Sequence, residues 1–340
     1  MMSAVTYRAI ELPKHNSNII KAMLSLNVVE KSIRKLLPGQ LLIRIHYATC
    51  NPSDIALMQN AYGIKKDAPL VPGFEGSGVV VAVSEDLSEK DWLGKTVSCF
   101  SQDERDGTWA EYFVAYTNQV VVSERISLKQ AANFFVNPFT AYGLMEIAVR
   151  QKSHAAIINA AGSQVATFLV NLLKKKQIKS IGIIRKSSLK DKLQAIGFDK
   201  MLVSTNSNFE NQLKQAAFEY NATIAFDAVA GEHTGILLNA MPGGSKIVVY
   251  GGLSGKPATN LSAIDLIFKN KTVSGFNLND WIKSSVNLTF KKAKTLLQHL
   301  IIEEGLETPV QIEVKPDEVA KGMRQYLSAM TFGKMLISFA

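Results

Sequence analysis

Between Cys50 and Gly78 the chain reads Cys50-Asn51-Pro52-Ser53-Asp54, then Met58-Gln59-Asn60-Ala61-Tyr62-Gly63, then Pro72-Gly73-Phe74-Glu75-Gly76-Ser77-Gly78. Its chemically active groups are an amide, a phenol and carboxylates. No histidine lies in the segment, and its one cysteine has no neighbour at metal-ligand spacing. An amide and a hydroxyl can donate hydrogen bonds and a weakly held proton, so the chemistry left open is what a cofactor and a hydroxyl can do together. Elsewhere, His15, His46, His154, His233 and His299 have no partner at metal-ligand spacing. The two cysteines, Cys50 and Cys99, cannot supply a four-cysteine zinc site or a disulfide framework, and Cys50 reads as a buried structural thiol.

A second candidate site lies at Ile157-Ile158-Asn159-Ala160-Ala161-Gly162-Ser163-Gln164-Val165-Ala166. It follows a predicted strand and opens a predicted helix, the context of a dinucleotide fingerprint. Laid on G-x-G-x-x-G, the turn puts Ala161, Ser163 and Ala166 at the glycine positions. Small residues there still permit close backbone approach, and the helix N-terminus still faces a pyrophosphate. An ordinary tight turn in a parallel sheet is the competing reading. The next strand ends in Ile184-Arg185-Lys186-Ser187-Ser188. A carboxylate there would accept from the ribose 2′-hydroxyl of NAD, whereas Arg185 and Lys186 suit a 2′-phosphate and so NADP(H). A solvated basic turn is the alternative.

The elements that must position these residues fall into two patterns. The first 125 residues read as short strands and turns, with Leu41–Tyr47 and Gly76–Val83 as the clearest strands. From Ser153, strands alternate with helices, including strand Ala155–Asn159, helix Gln164–Lys174 and strand Ser180–Arg185, continuing to strand Thr272–Phe276. Such alternation implies a parallel sheet covered on both faces. A long amphipathic helix, Ser284–Glu303, and short pieces ending in Lys334–Phe339 read as the chain returning to complete the first domain. The predicted fold class is therefore α/β, a Rossmann-type doubly wound parallel sheet beside a mainly β domain. The predicted domains are 1–125 with 280–340, and 126–279.

At 340 residues the chain exceeds what one core usually supports. Its net charge of +9 is concentrated between Ser153 and Asn279, where thirteen lysines and one arginine face four aspartates and three glutamates. That field favours an anionic ligand such as a phosphorylated nucleotide. Nucleic acid is a poor fit, because the tight cluster Lys174-Lys175-Lys176 ends an apolar helix pattern, where cations complement the dipole. No apolar run reaches the roughly 18 residues a membrane span needs, and Met1–Asn18 carries no targeting pattern. A cytoplasmic location is the expectation.

Read in order, the chain resembles the medium-chain dehydrogenase/reductase superfamily. The landmarks are Asn51-Pro52-Ser53-Asp54, Pro72-Gly73-Phe74-Glu75-Gly76, Gly107-Thr108-Trp109-Ala110-Glu111-Tyr112, Asn137-Pro138-Phe139-Thr140-Ala141-Tyr142, Tyr250-Gly251-Gly252 and Gly333-Lys334. The resemblance makes the first domain GroES-like and catalytic. In zinc members a cysteine stands where Asn51 is and a histidine where Phe74 is, so the chain resembles the zinc-free branch of quinone oxidoreductases and 2-enoyl thioester reductases. Leu266-Ile267-Phe268-Lys269, Gly275-Phe276 and Trp281 lean towards the enoyl reductases.

The resemblance implies an NADPH-dependent reductase that adds hydride to an activated alkene, an enoyl thioester or enone. A quinone reductase is the second reading. A nucleotide-binding scaffold with little turnover is the third, kept open by the missing glycines. Tyr62 matches the proposed proton donor, and Asn51 is implied to stand near the nicotinamide. Thr140, the turn Ala161, Gly162, Ser163, Gln164 and Val165, the pair Arg185 and Lys186, and Tyr250, Gly251, Phe276 and Lys334 are the implied cofactor contacts. Asp54 reads as a helix cap, and Trp109 and Trp281 as cleft walls or packing. A homodimer is implied, paired through the edge strands Thr272–Phe276 of two nucleotide domains.

Overall fold

The computed structural model describes residues 6–64, 66–285, 287–328, 330–331 and 333–340. In chain order its strands are β1 (Thr6–Glu11), β2 (Asn27–Ser32), β3 (Gln40–Cys50), β4 (Glu75–Val83), β5 (Thr96–Phe100), β6 (Tyr112–Tyr116) and β7 (Val120–Val122). There follow β8 (Ala155–Ile158), β9 (Lys179–Ile184), β10 (Lys200–Val203), β11 (Ala222–Asp227), β12 (Lys246–Val249) and β13 (Thr272–Gly275), then β14 (Val310–Val314) and β15 (Lys334–Ser338).

The chain divides into two compact units, Met1–Val136 with Lys294–Ala340, and Asn137–Ala293. The boundaries lie beyond 125/126 and 279/280 in the chain. The helices Val136–Arg150 and Leu278–Ser284 bind each other, Trp281 Nε1 donating to Glu146 Oε2 at 2.9 Å beside Tyr142.

In the first unit a mixed sheet runs β14-β15-β3-β4-β5-β7, with β6 also paired to β3. The C-terminal strand β15 lies antiparallel to β3 and puts Met335 opposite Cys50. This register explains why β3 is an almost continuous apolar run: Leu41, Ile43, Ile45 and Ala48 are buried, and strands flank it on both sides. Cys50 and Cys99 are both fully buried, and burial pushes their thiols up.

The second unit holds a six-stranded parallel sheet in the order β10-β9-β8-β11-β12-β13. That is the doubly wound 3-2-1-4-5-6 arrangement, whose order reverses between β8 and β11. All four residues of β8 are buried, as a central strand covered on both faces requires. The helix Gln164–Lys175 buries Ala166, Phe168, Leu169, Val170, Leu172 and Leu173 and ends in Lys174 and Lys175. Strand β13 is one edge of this sheet. No helix among the described residues is long and apolar enough to cross a membrane.

Candidate active site and cofactor turn

In the first unit the helix Pro52–Met58 begins directly after β3, with Pro52 at its first position and Asn51 as its cap residue. Asp54 accepts from the Asn51 N–H at 2.7 Å and from the Phe74 N–H at 2.9 Å, and is fully buried. Asp54 thereby supplies the reach-back half of a capping box. The Asn51 amide nitrogen donates to Glu75 Oε1 at 2.8 Å, and its oxygen accepts from Lys334 Nζ at 2.6 Å. Glu75 Oε2 takes the Phe135 and Val136 N–H groups at 3.0 and 2.9 Å. Asn51, Asp54, Glu75 and Lys334 are each at most 4% exposed.

Burial controls the charge of this cluster. It pushes the Asp54 carboxyl up to about 7, against the hydrogen bond from the Asn51 N–H and with help from the nearby Glu75 charge. Burial likewise raises Glu75 and lowers Lys334, whose ammonium is favoured in turn by Glu75, Cys50 and Asp54. The result is a dry polar chain, ammonium to amide to carboxylate, that holds the Asn51 amide in one orientation.

Tyr62 is delivered by the end of the same helix. Asn60 adopts the left-handed conformation at φ 56°, its N–H reaching Leu57 O while the Ala61 N–H reaches Ala56 O at 2.8 Å. That is the paired closure of a Schellman motif, which stops the helix and releases the chain at a defined point. The Tyr62 hydroxyl accepts from Gln102 Nε2 at 2.6 Å, and its ring lies 5.1 Å from the Phe74 ring. Phe74 is placed by Gly73, whose φ is +100° and where a Cβ would meet the Trp109 ring at 2.3 Å. Trp109 itself is fully buried and donates to Thr49 O, so it packs the core and walls no cleft.

In the second unit the turn after β8 is closed by Ala160, at φ 47°, and by Ser163, which caps the following helix by accepting from the Ala166 N–H at 3.2 Å. The left-handed position is Ala160, one residue before the first fingerprint position. Ala161 is buried, its N–H bonded to Ile183 O. Around the turn, Asn159 donates to Asp227 Oδ1 at 2.6 Å and accepts from the Ala228 N–H at 2.7 Å. Asp227 also takes the Val229 and Ala230 N–H groups and the Thr234 hydroxyl. This network fixes the carboxyl edges of β8 and β11 at the point where ligands bind in such sheets.

Two buried polar atoms at this edge have no hydrogen-bond partner among the described residues: Gln164 Oε1 and the Tyr250 hydroxyl, which lies near Ser163. Gly251 packs so closely that a Cβ would meet Ala228 O at 2.8 Å. Arg185 and Lys186 are exposed at the end of β9 and make no ion pair among the described residues. Unspent donors and acceptors, a capped helix N-terminus and unpaired cations are the donor set a phosphorylated dinucleotide requires. The turn therefore fits such a cofactor.

The structure gathers Asn51 and Lys334 in one cluster and seats Tyr62 on a separate loop contact. It places Thr140 buried in the helix Val136–Arg150, and Phe276 against Gly143 of that helix, next to Trp281. Phe276, Arg150 and Trp281 line a surface hollow of 570 Å³. Glu75 and Gln102 are the residues sequence reading missed. Glu75 was visible inside the Pro72–Gly76 landmark, but Gln102 sits in a loop without a motif. Among the described residues, no group of three or more His, Cys, Asp or Glu side chains is arranged to hold a metal ion.

Residues 37–125 match the family profile of the alcohol dehydrogenase GroES-like domain. The mitochondrial enoyl-[acyl-carrier-protein] reductase of Rattus norvegicus is 30% identical over 279 residues, covering 78% of this chain and 72% of its own. A provisionally assigned NADPH:quinone reductase from Mesorhizobium loti superposes with a TM-score of 0.90 at 25% identity, covering 99% of this chain and 100% of its own. Etr1p of Candida tropicalis, solved with NADP and crotonyl-CoA, superposes at 0.80 with 21% identity over 98% of this chain and 100% of its own. A GroES-like β unit completed by the C-terminal strands, a doubly wound sheet and these relatives together make the chain a member of the medium-chain dehydrogenase/reductase superfamily. Within that superfamily of oxidoreductases it is similar to the enoyl reductases and quinone reductases.

Proposed function

We propose that the chain is an NADPH-dependent reductase of activated alkenes, acting on an enoyl thioester or a small enone without a metal. The observation that carries this reading is the contact at Tyr62. A phenol oxygen that accepts from Gln102 Nε2 does not spend its own proton on that bond, so the hydroxyl can serve as the acid. When bound, the cofactor supplies hydride to the β-carbon. Ala161, Gly162, Ser163, Gln164 and Val165 would hold its pyrophosphate, Tyr250 and Gly251 the adjoining edge, and Arg185 and Lys186 its 2′-phosphate. Tyr62 passes its proton to the α-carbon, and Asn51, locked by Glu75 and Lys334, presents a fixed amide dipole. The likeness to a rat enoyl reductase supports the choice of substrate class.

A quinone reductase is the second reading, favoured by the 0.90 superposition on the Mesorhizobium loti protein. NADPH oxidation with crotonyl-CoA and with a para-quinone, for wild type and Tyr62→Phe, separates the two. The alkene reading expects turnover of crotonyl-CoA that falls about 100-fold in Tyr62→Phe, the lower end of the range for a lost general acid. Turnover of the quinone alone, indifferent to Tyr62, establishes the second reading.

We further propose a homodimer paired through β13. The helix Ala263–Phe268, which precedes this edge strand in the chain, leaves Ile264, Ile267 and Phe268 62, 69 and 79% exposed. A sedimentation coefficient of a dimer is the expected result, and a monomer at micromolar concentration contradicts it.

A further inference from the structure

Gln102 lies in the loop after β5 and is 5% exposed, and among the described residues its side chain has a single hydrogen-bond partner, the Tyr62 hydroxyl at 2.6 Å. Its other amide atom, Oε1, is buried without a hydrogen-bond partner among the described residues. A buried amide oxygen left unpaired is unfavourable, so a side chain used merely to fill space would be poorly chosen here. The flanking residues hold the loop rigid on both sides. Ser101 donates its N–H to Phe74 O at 2.9 Å and accepts from the Asp103 N–H through its hydroxyl. Asp103 binds Arg105 Nε at 3.0 Å and Gln119 Nε2 at 3.0 Å. Arg105 reaches on to Gln119 Oε1 and Val114 O and lies over the Tyr116 ring. Burial opposes the charge on Asp103, but the hydrogen bonds from Arg105, Ser101 and Gln119 hold its carboxyl down at about 2, so the clamp stays ionised throughout the working range. The amide between these anchors is thus pre-aimed at the phenol before any ligand arrives.

We infer that Gln102 is a positioning residue for Tyr62, its amide N–H directing the hydroxyl proton and stabilising the phenolate formed when that proton leaves. This deepens the alkene-reductase reading and rests on it. After hydride addition, the enolate's carbon–carbon π pair forms the new C–H bond at the α-carbon while the Tyr62 O–H bond breaks, its electron pair remaining on oxygen. Water then reprotonates the phenolate. A donor 2.6 Å from that oxygen gains strength as negative charge develops, which is when a hydrogen bond assists the reaction most. In the structure the amide nitrogen faces the tyrosine, and the oxygen is turned away from it.

The test compares wild type, Gln102→Met, Gln102→Glu and Tyr62→Phe with NADPH and crotonyl-CoA. Gln102→Met keeps the length and removes the donor. It should lower kcat about 10- to 100-fold, the value of a hydrogen bond to a charged group, with KM changed less than about threefold, the margin of a side chain that contributes no uniform binding. The alkaline limb of the kcat–pH profile should move up, because the phenolate has lost its donor, and the solvent deuterium isotope effect should grow as proton delivery becomes limiting. Gln102→Glu keeps the shape, sets an anion against the developing phenolate and should be slower still. In the Tyr62→Phe background, Gln102→Met should add nothing. An unchanged pH limb and isotope effect in both Gln102 variants, with Tyr62→Phe still disabled, overturns the inference and spares the reading beneath it. A fully active Tyr62→Phe removes that reading and the inference together. Should Gln102→Met fail to fold, the Gln102→Glu profile alone decides.

Discussion

The cluster around Asn51 and the turn around Ser163 are both buried polar sites, and they differ in who completes them. At Asn51 the chain supplies every partner in the chain of bonds: Lys334 to the amide oxygen, the amide nitrogen to Glu75, Glu75 to two backbone N–H groups. At the turn, among the described residues, Gln164 Oε1 and the Tyr250 hydroxyl are buried without partners, and Arg185 and Lys186 follow β9 without a counter-charge. A polar site that satisfies itself holds a geometry, whereas one left incomplete is built for something that is not part of the chain. Lys334 shows the distinction most clearly. The resemblance puts it with the cofactor pyrophosphate, and inside the first unit its buried ammonium donates to Asn51 Oδ1.

The sharpest way to break this comparison is Lys334→Met. Removing one member of a buried charged network leaves Glu75 and Asp54 uncompensated and should cost about 3–5 kcal/mol of stability, read as a lower midpoint in urea. NADPH affinity, measured by fluorescence titration on the folded fraction, should stay within about threefold, below the value of one charge-assisted hydrogen bond. Full stability with lost cofactor affinity would return Lys334 to the pyrophosphate.

Arg185→Ala should do the reverse. The thermal midpoint stays in place, while NADPH binds about 10- to 100-fold more weakly, as expected for a lost charge-assisted bond, and NADH binding does not change. Equal losses for both cofactors would show that Arg185 reads no 2′-phosphate.

Asp54 sharpens the first half of the comparison through pH. Its folded-state value near 7 stands above the ordinary carboxylate value of 3.8, so the folded form holds the proton more tightly than the unfolded chain. Its contribution to stability is complete below about pH 4, from the reference carboxylate value, and fades as pH rises through 7. Urea unfolding of wild type and Asp54→Asn across that window should show a shallower decline in the variant, whatever its absolute stability. Parallel curves would mean that Asp54 does not titrate there.

The smallest expected effect concerns the turn. Ala160→Gly relieves a left-handed alanine and should add about 1 kcal/mol, with NADPH affinity unchanged if the strain serves only to close the turn.

The alternation from Ala155 to Phe276 was legible because buried parallel strands and amphipathic helices carry different periods, and the strand limits agree to within a residue. The return of the C-terminus was legible too, since an isolated helix and two strands cannot bury a core. The helix Val136–Arg150 is not legible in the sequence: with Asn137, Pro138, Phe139, Thr140, Ala141 and Tyr142 all buried, it has no polar stripe to reveal its period. The helix Leu278–Ser284 is too short to show a period of its own and stands directly before a longer one.

By itself the sequence determined the kinds of chemistry available: an amide at position 51, a phenol at position 62, and cations where NAD-type sites carry a carboxylate. Those are properties of side chains, independent of where the chain puts them. Tertiary structure alone decided that Lys334 belongs to Asn51 and that Gln102 faces Tyr62. Each pair is joined by strand register and loop anchoring across long stretches of chain, so its distance comes from the packing of the whole unit and not from spacing along the sequence.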